Sequence, residues 1–318
     1  MKLYVLSHSI CRSYFWNDFA ETLQIEMEEK WPREAALYLL MAQDSLSNGN
    51  LTDCYSYLLK CRRKDRRLKP YTDLLLHLQK TLGQVDYSLK ELKKAVKRKR
   101  QVLISECAIK KIFSLAQKVP KYQPRKSKKK LVMVSSTLGR GGAERQVLTC
   151  LKELDKGNSF SELTLLCRDK GSEDISSTYL SEINQLNVDV HQYQQVEKWE
   201  SVFGKVEDDS VFNEAFSMLP NTMQNSIKKY YAAICQIKPD IVHAWQDPTN
   251  IEIAIAARMA GVPGIVLFAR SLRPDGKTMA HIRKRAYLKQ AYRYILKEDN
   301  KVEIIFDKDI TEYKKSKP

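Results

Sequence analysis

A glycine-rich turn between a predicted strand and a predicted helix is the clearest sign of chemistry in this sequence. The apolar run 131–136 precedes Gly139, Gly141 and Gly142, and an amphipathic stretch follows them. Glycines let a backbone approach a ligand closely, and the N–H groups and dipole at a helix N-terminus attract anions. The turn therefore predicts a phosphate-type site, although it matches neither G-x-G-x-x-G nor the Walker A pattern.

Charged residues accompany this turn. Arg140 and Arg145 would add positive charge beside a bound anion, and Glu144 lies between them as a further candidate binding residue. The alternative interpretation is purely structural, because glycine turns also occur wherever a strand reverses into a helix.

A second group of candidate residues follows the predicted strand 240–245. His243 is expected at its carboxyl end, where ligands bind in open α/β sheets. Trp245 could stack on a sugar ring and Asp247 could bind a hydroxyl group. Arg270 follows the predicted strand 264–269 and could pair with a phosphate or an acidic sugar. Packing roles for His243, Trp245 and Asp247, and a surface ion pair for Arg270, are the alternatives.

Three stretches in this order resemble the family-four retaining glycosyltransferases, whose GT-B architecture contains two Rossmann-like domains. They are Leu138–Arg145 (Leu-Gly-Arg-Gly-Gly-Ala-Glu-Arg); Ile237–Asp247, with its Lys-Pro-Asp strand entry and His243, followed by Ile253–Pro263, which ends in Gly-Val-Pro; and Val266–Asp275. Arg270 departs from the pattern, because many members have a histidine there. That departure puts in doubt any catalytic role carried over from the histidine.

The resemblance implies transfer of a sugar from a nucleotide-diphosphate donor to a glycan or lipid-linked acceptor, with retained configuration and neither metal nor cofactor. Gly141, Gly142 and Arg145 would lie beside the diphosphate, and His243 and Arg270 would serve catalysis by orienting sugar or acceptor. Biosynthesis of surface polysaccharide, such as capsule or lipopolysaccharide, is the usual setting. The family's paired glutamates, eight positions apart, do not follow residue 298. We therefore expect a truncated form without the C-terminal donor-binding domain, or a partner chain that supplies it.

The pattern of the chain predicts an α/β Rossmann-like domain, the GT-B N-terminal half, preceded by an all-α region of helical hairpins. Residues 1–118 are predicted to be helical, with tetratricopeptide-like repeats or a plain bundle as alternatives. A basic, proline-containing linker is predicted over 119–130, the α/β domain over 131–300, and a charged tail over 301–318. Strands are predicted at 131–136, 162–167, 188–191, 240–245 and 264–269, with helices between them.

Helix starts in the first region are predicted at Asn17, Pro32, Leu51, Lys69 and Gln84–Asp86. In the second region helices are predicted near 143–155, 176–186, 209–218, 221–237, 250–260 and 280–297.

The charge is distributed unevenly. Residues 1–130 hold 28 Lys and Arg against 13 Asp and Glu, a net +15, whereas residues 131–318 hold 26 against 25, a net +1. This basic surface predicts an anionic partner, for which residues 60–130 could contact an anionic membrane. No run of 18 apolar residues occurs, which indicates a cytoplasmic protein, in peripheral contact with the inner face of the membrane.

Two further function classes compete with the enzyme. One is a non-catalytic scaffold in which the helical region recruits a protein partner and the α/β domain is a remnant. The other is a nucleic-acid binder, which basic clusters such as Arg62–Arg67 and Lys97–Arg100 would favour. The absence of a recognised reader motif or aromatic platform disfavours nucleic acid.

Overall fold

The chain forms two compact units, residues Met1–Lys111 and Ile112–Pro318. The computed structural model describes residues 4, 7–8, 17–31, 34–127, 129–139, 141–167, 179–193, 210–246, 249–269, 291–292, 294–295 and 302–306. None of the helices within these ranges is long and apolar enough to span a bilayer.

The first unit is helical. Its helices are α1 (Asn17–Lys30), α2 (Ala35–Ser47), α3 (Leu51–Lys60), α4 (Lys69–Gln84) and α5 (Leu89–Lys97), with a short 3-10 helix at Asp65–Arg67; α6 (Ile104–Ala116) begins here and ends in the second unit. Apolar side chains spaced three and four residues apart point inward, as in Leu37 and Met41 of α2 and Leu78 and Leu82 of α4. Whether these helices form a repeat array stays a prediction.

The predicted helix start at Gln84–Asp86 is wrong. Helix α4 continues through Gly83 to Gln84, and α5 starts only at Leu89. The reason is a capping box, in which the Ser88 hydroxyl accepts from the Glu91 N–H while the Glu91 carboxylate accepts from the Ser88 N–H.

The second unit is built on a six-stranded parallel sheet in the order β3-β2-β1-β4-β5-β6. Its strands are β1 (Lys129–Ser135), β2 (Phe160–Cys167), β3 (Asp189–Gln192), β4 (Ile241–Trp245), β5 (Gly264–Ala269) and β6 (Val302–Phe306). The described helices between them are α7 (Gly142–Lys156), α8 (Leu180–Ile183), α9 (Ser210–Phe216), α10 (Asn221–Ile237) and α11 (Thr249–Met259). This strand order is that of a doubly wound, Rossmann-like sheet.

The five strands predicted from sequence are all present. Strand β6 is an addition, because its residues lie inside the range predicted to be a charged tail. Val302-Glu303-Ile304-Ile305-Phe306 is a short, mainly apolar run of the kind found in buried strands, and β6 pairs with β5 along its length. Most of the predicted helix 280–297 lies outside the described residues.

One face of the sheet packs against α7. Side chains at every second position of the central strands, such as Met133 and Leu165, meet Val147, Leu148 and Leu151 of the helix. This packing fixes the start of α7 relative to the ends of the strands, which matters for the site described below.

Residues 117–127 and 129–130, here called the strap, connect α6 with the first residues of β1 and contact the rest of the second unit. The Arg258 guanidinium donates to the carbonyls of Gln117 at 2.7 Å and Val119 at 3.2 Å. Further along, the Tyr122 N–H donates to the carbonyl of Gly261 at 3.0 Å. The predicted linker segment thus makes specific contacts with the α/β unit.

The strap is fastened most strongly at Asp240, which is 1% exposed. Its carboxylate accepts from the Arg125 N–H at 2.8 Å, the Arg125 guanidinium at 2.6 Å and the Lys130 N–H at 2.8 Å. Burial by itself would raise the pKa of Asp240, but these hydrogen bonds to the charged form outweigh it and hold the pKa below its ordinary value.

Replacement of Gly261 by alanine should destabilise the second unit. Gly261 has φ +74, and a Cβ there would lie 2.6 Å from the Pro120 carbonyl oxygen of the strap. Backbone strain and this clash together should lower the free energy of unfolding by about 2 kcal/mol or more in urea titrations. The matched control is Gly83→Ala in α4, where nothing lies within 4 Å, and it should raise stability by roughly 0.5–1 kcal/mol. Equal effects at the two glycines would contradict the prediction.

Asp240→Asn should lower the free energy of unfolding by about 3–5 kcal/mol, because the new amide cannot accept from all three donors and leaves Arg125 without its charge partner. Since the folded-state pKa of Asp240 is lowered, this stabilisation is present above the ordinary pKa of 3.8 and is lost as the pH falls below it. Urea unfolding of both proteins from neutral to acid pH should therefore show the difference shrinking only below about pH 4. The exposed Asp189→Asn serves as control.

Candidate functional site

The candidate site lies at the carboxyl ends of β1 and β4. These neighbouring strands lie at the switch point of the sheet, because the chain continues from β1 to β2 on one side and later fills the other side with β4, β5 and β6. Connections that leave in opposite directions open a crevice there, which is where open α/β sheets bind ligands.

A hydrogen-bonded group of four side chains occupies this position; we call it the crevice cluster, consisting of Ser136, Thr137, Glu144 and Gln246. The Glu144 carboxylate Oε1 accepts from the Thr137 hydroxyl at 2.9 Å and from the Gln246 amide at 2.9 Å. The amide oxygen of Gln246 accepts from the Ser136 hydroxyl at 2.5 Å. The cluster therefore joins the loop after β1, the first turn of α7 and the end of β4.

Glu144 folds back over the start of α7. The helix begins at Gly142 with Gly141 as its N-cap, so that Glu144 is the third residue of the first turn. A Cβ on Gly141 would lie only 1.9 Å from Oε2 of Glu144, so the absence of a side chain at Gly141 makes room for the carboxylate. A carboxylate at a helix N-terminus is stabilised by roughly 0.3–1 kcal/mol. Glu144 thus places a carboxylate at the helix start where the sequence predicted an anion-binding turn.

Gln246 is held in a strained conformation. Its φ is 74°, a left-handed value that costs a non-glycine residue roughly 1–2 kcal/mol. Its N–H donates to the Phe268 carbonyl at 3.4 Å, and its carbonyl accepts from the Asn250 N–H at 2.9 Å. Non-glycine residues with such backbone strain are concentrated at functional sites, where the surrounding structure enforces it.

Sequence reasoning did not single out Gln246, Ser136 or Thr137. Their one signal in the sequence is position, because each is a polar residue at the last position of a predicted strand or directly after it. Nothing in the sequence indicated that these positions would meet, since about 110 residues separate Ser136 from Gln246.

The predicted residues of the glycine turn are only partly brought together. Gly141 and Glu144 are in contact, whereas Gly142 and Arg145 are exposed on the first turn of α7 and Gly139 is half-buried in the preceding loop. Arg140, Asp247 and Arg270 lie outside the described residues.

His243 and Trp245 lie deeper than the sequence suggested. His243 is the middle residue of β4, in register with Met133 and Val266, rather than its last. Trp245 is 4% exposed and packs against Phe268 with ring centroids 4.3 Å apart. The indole is therefore a core element in this structure, and the face that would stack on a sugar is covered.

The His243 imidazole packs beneath these rings, 5.2 Å from Trp245 and 6.4 Å from Phe268 between centroids. Its Nε2 is buried and has no hydrogen-bond partner among the residues that the structure describes. Burial lowers the pKa of His243 to about 4. The imidazole is therefore neutral at physiological pH and lies below the crevice cluster on a buried strand.

The chain is similar to the Vi polysaccharide biosynthesis protein VipC/TviE of Salmonella typhi. The two are 29% identical over 170 residues, which cover 49% of this chain and 28% of that protein. This chain therefore matches little more than a quarter of the relative's length. No protein-family model matches the chain.

A surface cavity of about 380 Å³ lies at the other end of β4, lined by strap and α10 residues such as Tyr122, Cys235 and Lys238. The one buried carboxylate that lines it, Asp240, already accepts three hydrogen bonds from Arg125 and Lys130 of the strap. The cavity lies at the amino ends of the strands, away from the switch-point crevice, so we assign the candidate site to the crevice cluster.

His243 should make stability depend on pH. Because burial lowers its pKa from 6.5 to about 4, the unfolded chain binds a proton in this interval that the folded chain does not. Stability should therefore fall as the pH is lowered through this interval, by up to about 1.4 kcal/mol per pH unit. In His243→Phe this contribution disappears, so urea unfolding of the two proteins should diverge below pH 6.5. Parallel stability curves would show that His243 titrates normally.

Proposed function

We propose that the α/β unit is the acceptor-side part of a glycosyltransferase that acts in polysaccharide biosynthesis. The similarity to a polysaccharide biosynthesis protein supports a glycosyltransferase-like relationship, and the doubly wound sheet is compatible with it. The observation that carries the proposal is the crevice cluster, a polar group at the switch point of the sheet.

The chemistry of the cluster suits sugar hydroxyl groups. A hydroxyl both donates and accepts hydrogen bonds, and the cluster offers a carboxylate acceptor, an amide with both functions and two hydroxyls. Hydrogen bonds to an ionised carboxylate contribute more than neutral ones. Glu144 is therefore proposed to orient a hydroxyl of the glycan or lipid-linked acceptor, with Gln246 as its neighbour.

The same carboxylate disfavours a diphosphate at this spot, because like charges repel. The leaving diphosphate of a nucleotide-sugar donor needs positive charge close by. In this proposal Arg140, Arg145 and Arg270 provide that charge, His243 supports the sugar-binding edge from below, and Asp247 binds a hydroxyl. Transfer with retained configuration and without a metal follows from the family resemblance and belongs to the proposal.

A non-catalytic glycan-binding or scaffold protein is the second candidate. It is favoured by the state of the cluster, in which the Glu144 carboxylate already accepts from the side chains of Thr137 and Gln246. Such an arrangement could hold a glycan without any transfer. The two candidates share the crevice and differ in whether a donor reacts there.

Glu144→Gln should weaken glycan binding about tenfold, because it removes the charge from one hydrogen bond to a hydroxyl. Saturation-transfer NMR with a panel of polysaccharide-derived oligosaccharides would measure the dissociation constants. The matched control is Glu153→Gln, an exposed glutamate on the same helix, which should bind like the unmodified chain. The absence of saturable binding to every oligosaccharide would refute a glycan site.

Transfer is tested separately, by mixing the chain and a bound oligosaccharide with a panel of nucleotide sugars and following the product by mass spectrometry. The enzyme is supported if glycan binding depends on Glu144 and a sugar is also transferred to the bound oligosaccharide. The same binding without transfer, also when the chain is extended to the length of its relative, supports the non-catalytic candidate.

A further inference from the structure

We infer that the loop between α3 and α4 is a docking surface for an anionic phospholipid bilayer. This basic loop is defined as residues 62–69, Arg-Arg-Lys-Asp-Arg-Arg-Leu-Lys; it contains a short 3-10 helix at Asp65–Arg67 and ends with Lys69, the first residue of α4. The inference concerns the helical unit and does not depend on the proposed function of the α/β unit.

Some cations of the basic loop form contacts within the protein that hold its backbone, whereas others face solvent. Arg62 pairs with Asp65, with Nε and Oδ2 3.0 Å apart. Arg66 turns inward and donates to the carbonyls of Cys61 at 3.1 Å and Leu59 at 3.2 Å. These contacts hold the backbone of the loop in one conformation, so that docking would not first have to order it.

Four other basic side chains of the loop can contact an anionic partner. Their side chains are exposed, and none forms an ion pair with a residue that the structure describes. They are Arg63, Lys64, Arg67 and Lys69. Basic residues close to a negatively charged leaflet each contribute to binding, and this contribution is screened within a Debye length.

An exposed apolar side chain lies among these cations. Leu68 is 47% exposed, and Leu59, at the end of α3 beside the loop, is 44% exposed. Interfacial membrane-binding segments combine basic residues with apolar side chains that reach the boundary between headgroups and acyl chains. The loop contains no aromatic residue, whereas proteins that bind single-stranded nucleic acid use aromatic side chains to stack bases. A bilayer therefore fits this surface better than nucleic acid.

A second basic cluster provides an internal comparison. The basic turn, Lys97–Arg100, follows α5 and is exposed. The chain just after it is joined to the start of α3, because the Leu51 N–H donates to the Val102 carbonyl at 3.0 Å and the Ile104 N–H donates to the Gly49 carbonyl at 2.8 Å. The basic loop follows the other end of α3, which is ten residues long and so spans about 15 Å.

The experiment is cosedimentation of the whole chain with vesicles of phosphatidylcholine alone, or with about one third phosphatidylglycerol, in roughly 0.1 M salt. Binding is expected only to the anionic vesicles. The double variant Arg63→Gln/Lys64→Gln should weaken it about thirtyfold, because two cations are lost from the docking surface. Lys97→Gln/Arg98→Gln removes the same charge from the basic turn and should weaken binding less than about threefold.

Leu68→Ser tests the apolar contact without damaging the fold. Leu68 is the N-cap residue of α4 and makes no side-chain capping bond, so serine there should maintain or raise the melting temperature. Vesicle binding should nevertheless fall about threefold or more, as expected for loss of a buried apolar side chain. Ile25→Ser, which alters a side chain on α1 that is 60% exposed, is the control and should bind as the unmodified chain does.

Three results would overturn the inference. The first is an equal loss of vesicle binding in the two double variants, which would indicate a nonspecific effect of net charge. The second is binding to neutral vesicles alone, or no binding to either kind of vesicle. The third is binding to an RNA oligonucleotide that is tighter than binding to anionic vesicles and is unaffected by Leu68→Ser. The last result would identify the loop as a nucleic-acid surface.

Discussion

The pairing of β1 with β4 in the middle of the sheet is the constraint on which the rest of the α/β unit depends. Backbone contacts align Leu131–Val134 with Ile241–Ala244 across about 110 residues of sequence. Side chains secure the pair at both ends. At the amino end Asp240 accepts from the Lys130 N–H, and at the carboxyl end Gln246 accepts from the Ser136 hydroxyl. The crevice and the strap are both consequences of this one alignment.

The two ends of the strand pair use buried polar groups in different ways. At Asp240 the carboxylate is enclosed and saturated by donors, so that its role is to hold the strap in place. At the crevice the Glu144 carboxylate is only partly buried and its partners are neutral side chains. A partly buried carboxylate with neutral partners can exchange them for the hydroxyl groups of a ligand at little cost, whereas a saturated one cannot. This difference is the physical reason for placing the function at the switch point.

The charge boundary of the chain does not coincide with the boundary between its two units, because the seven Lys and Arg of residues 112–130 belong to the second unit. The excess of cations lies in residues 1–130, and the α/β sequence that follows is nearly neutral. The helical unit, residues 1–111, holds 21 Lys and Arg against 13 Asp and Glu and is therefore basic in itself. Within the helical unit, hydrogen bonds from Arg66 to backbone carbonyls and the exposure of its neighbours distinguish structural cations from those that can meet a partner.

The sequence by itself determined the parallel α/β character of the second unit, because short apolar strands alternate with amphipathic helices and that pattern depends only on local periodicity. It also located the glycine turn and Glu144, since helix-start signals are local. It missed β6, because this short apolar run is bordered by the charged residues of the predicted tail and only its pairing with β5 identifies it as a strand. Only the tertiary structure decided that Glu144 meets Thr137 and Gln246 at the start of α7, that Trp245 is buried in the core, and that His243 is the middle residue of β4. These properties depend on which strands become neighbours, and contacts between residues about 110 positions apart leave no periodic trace in the sequence.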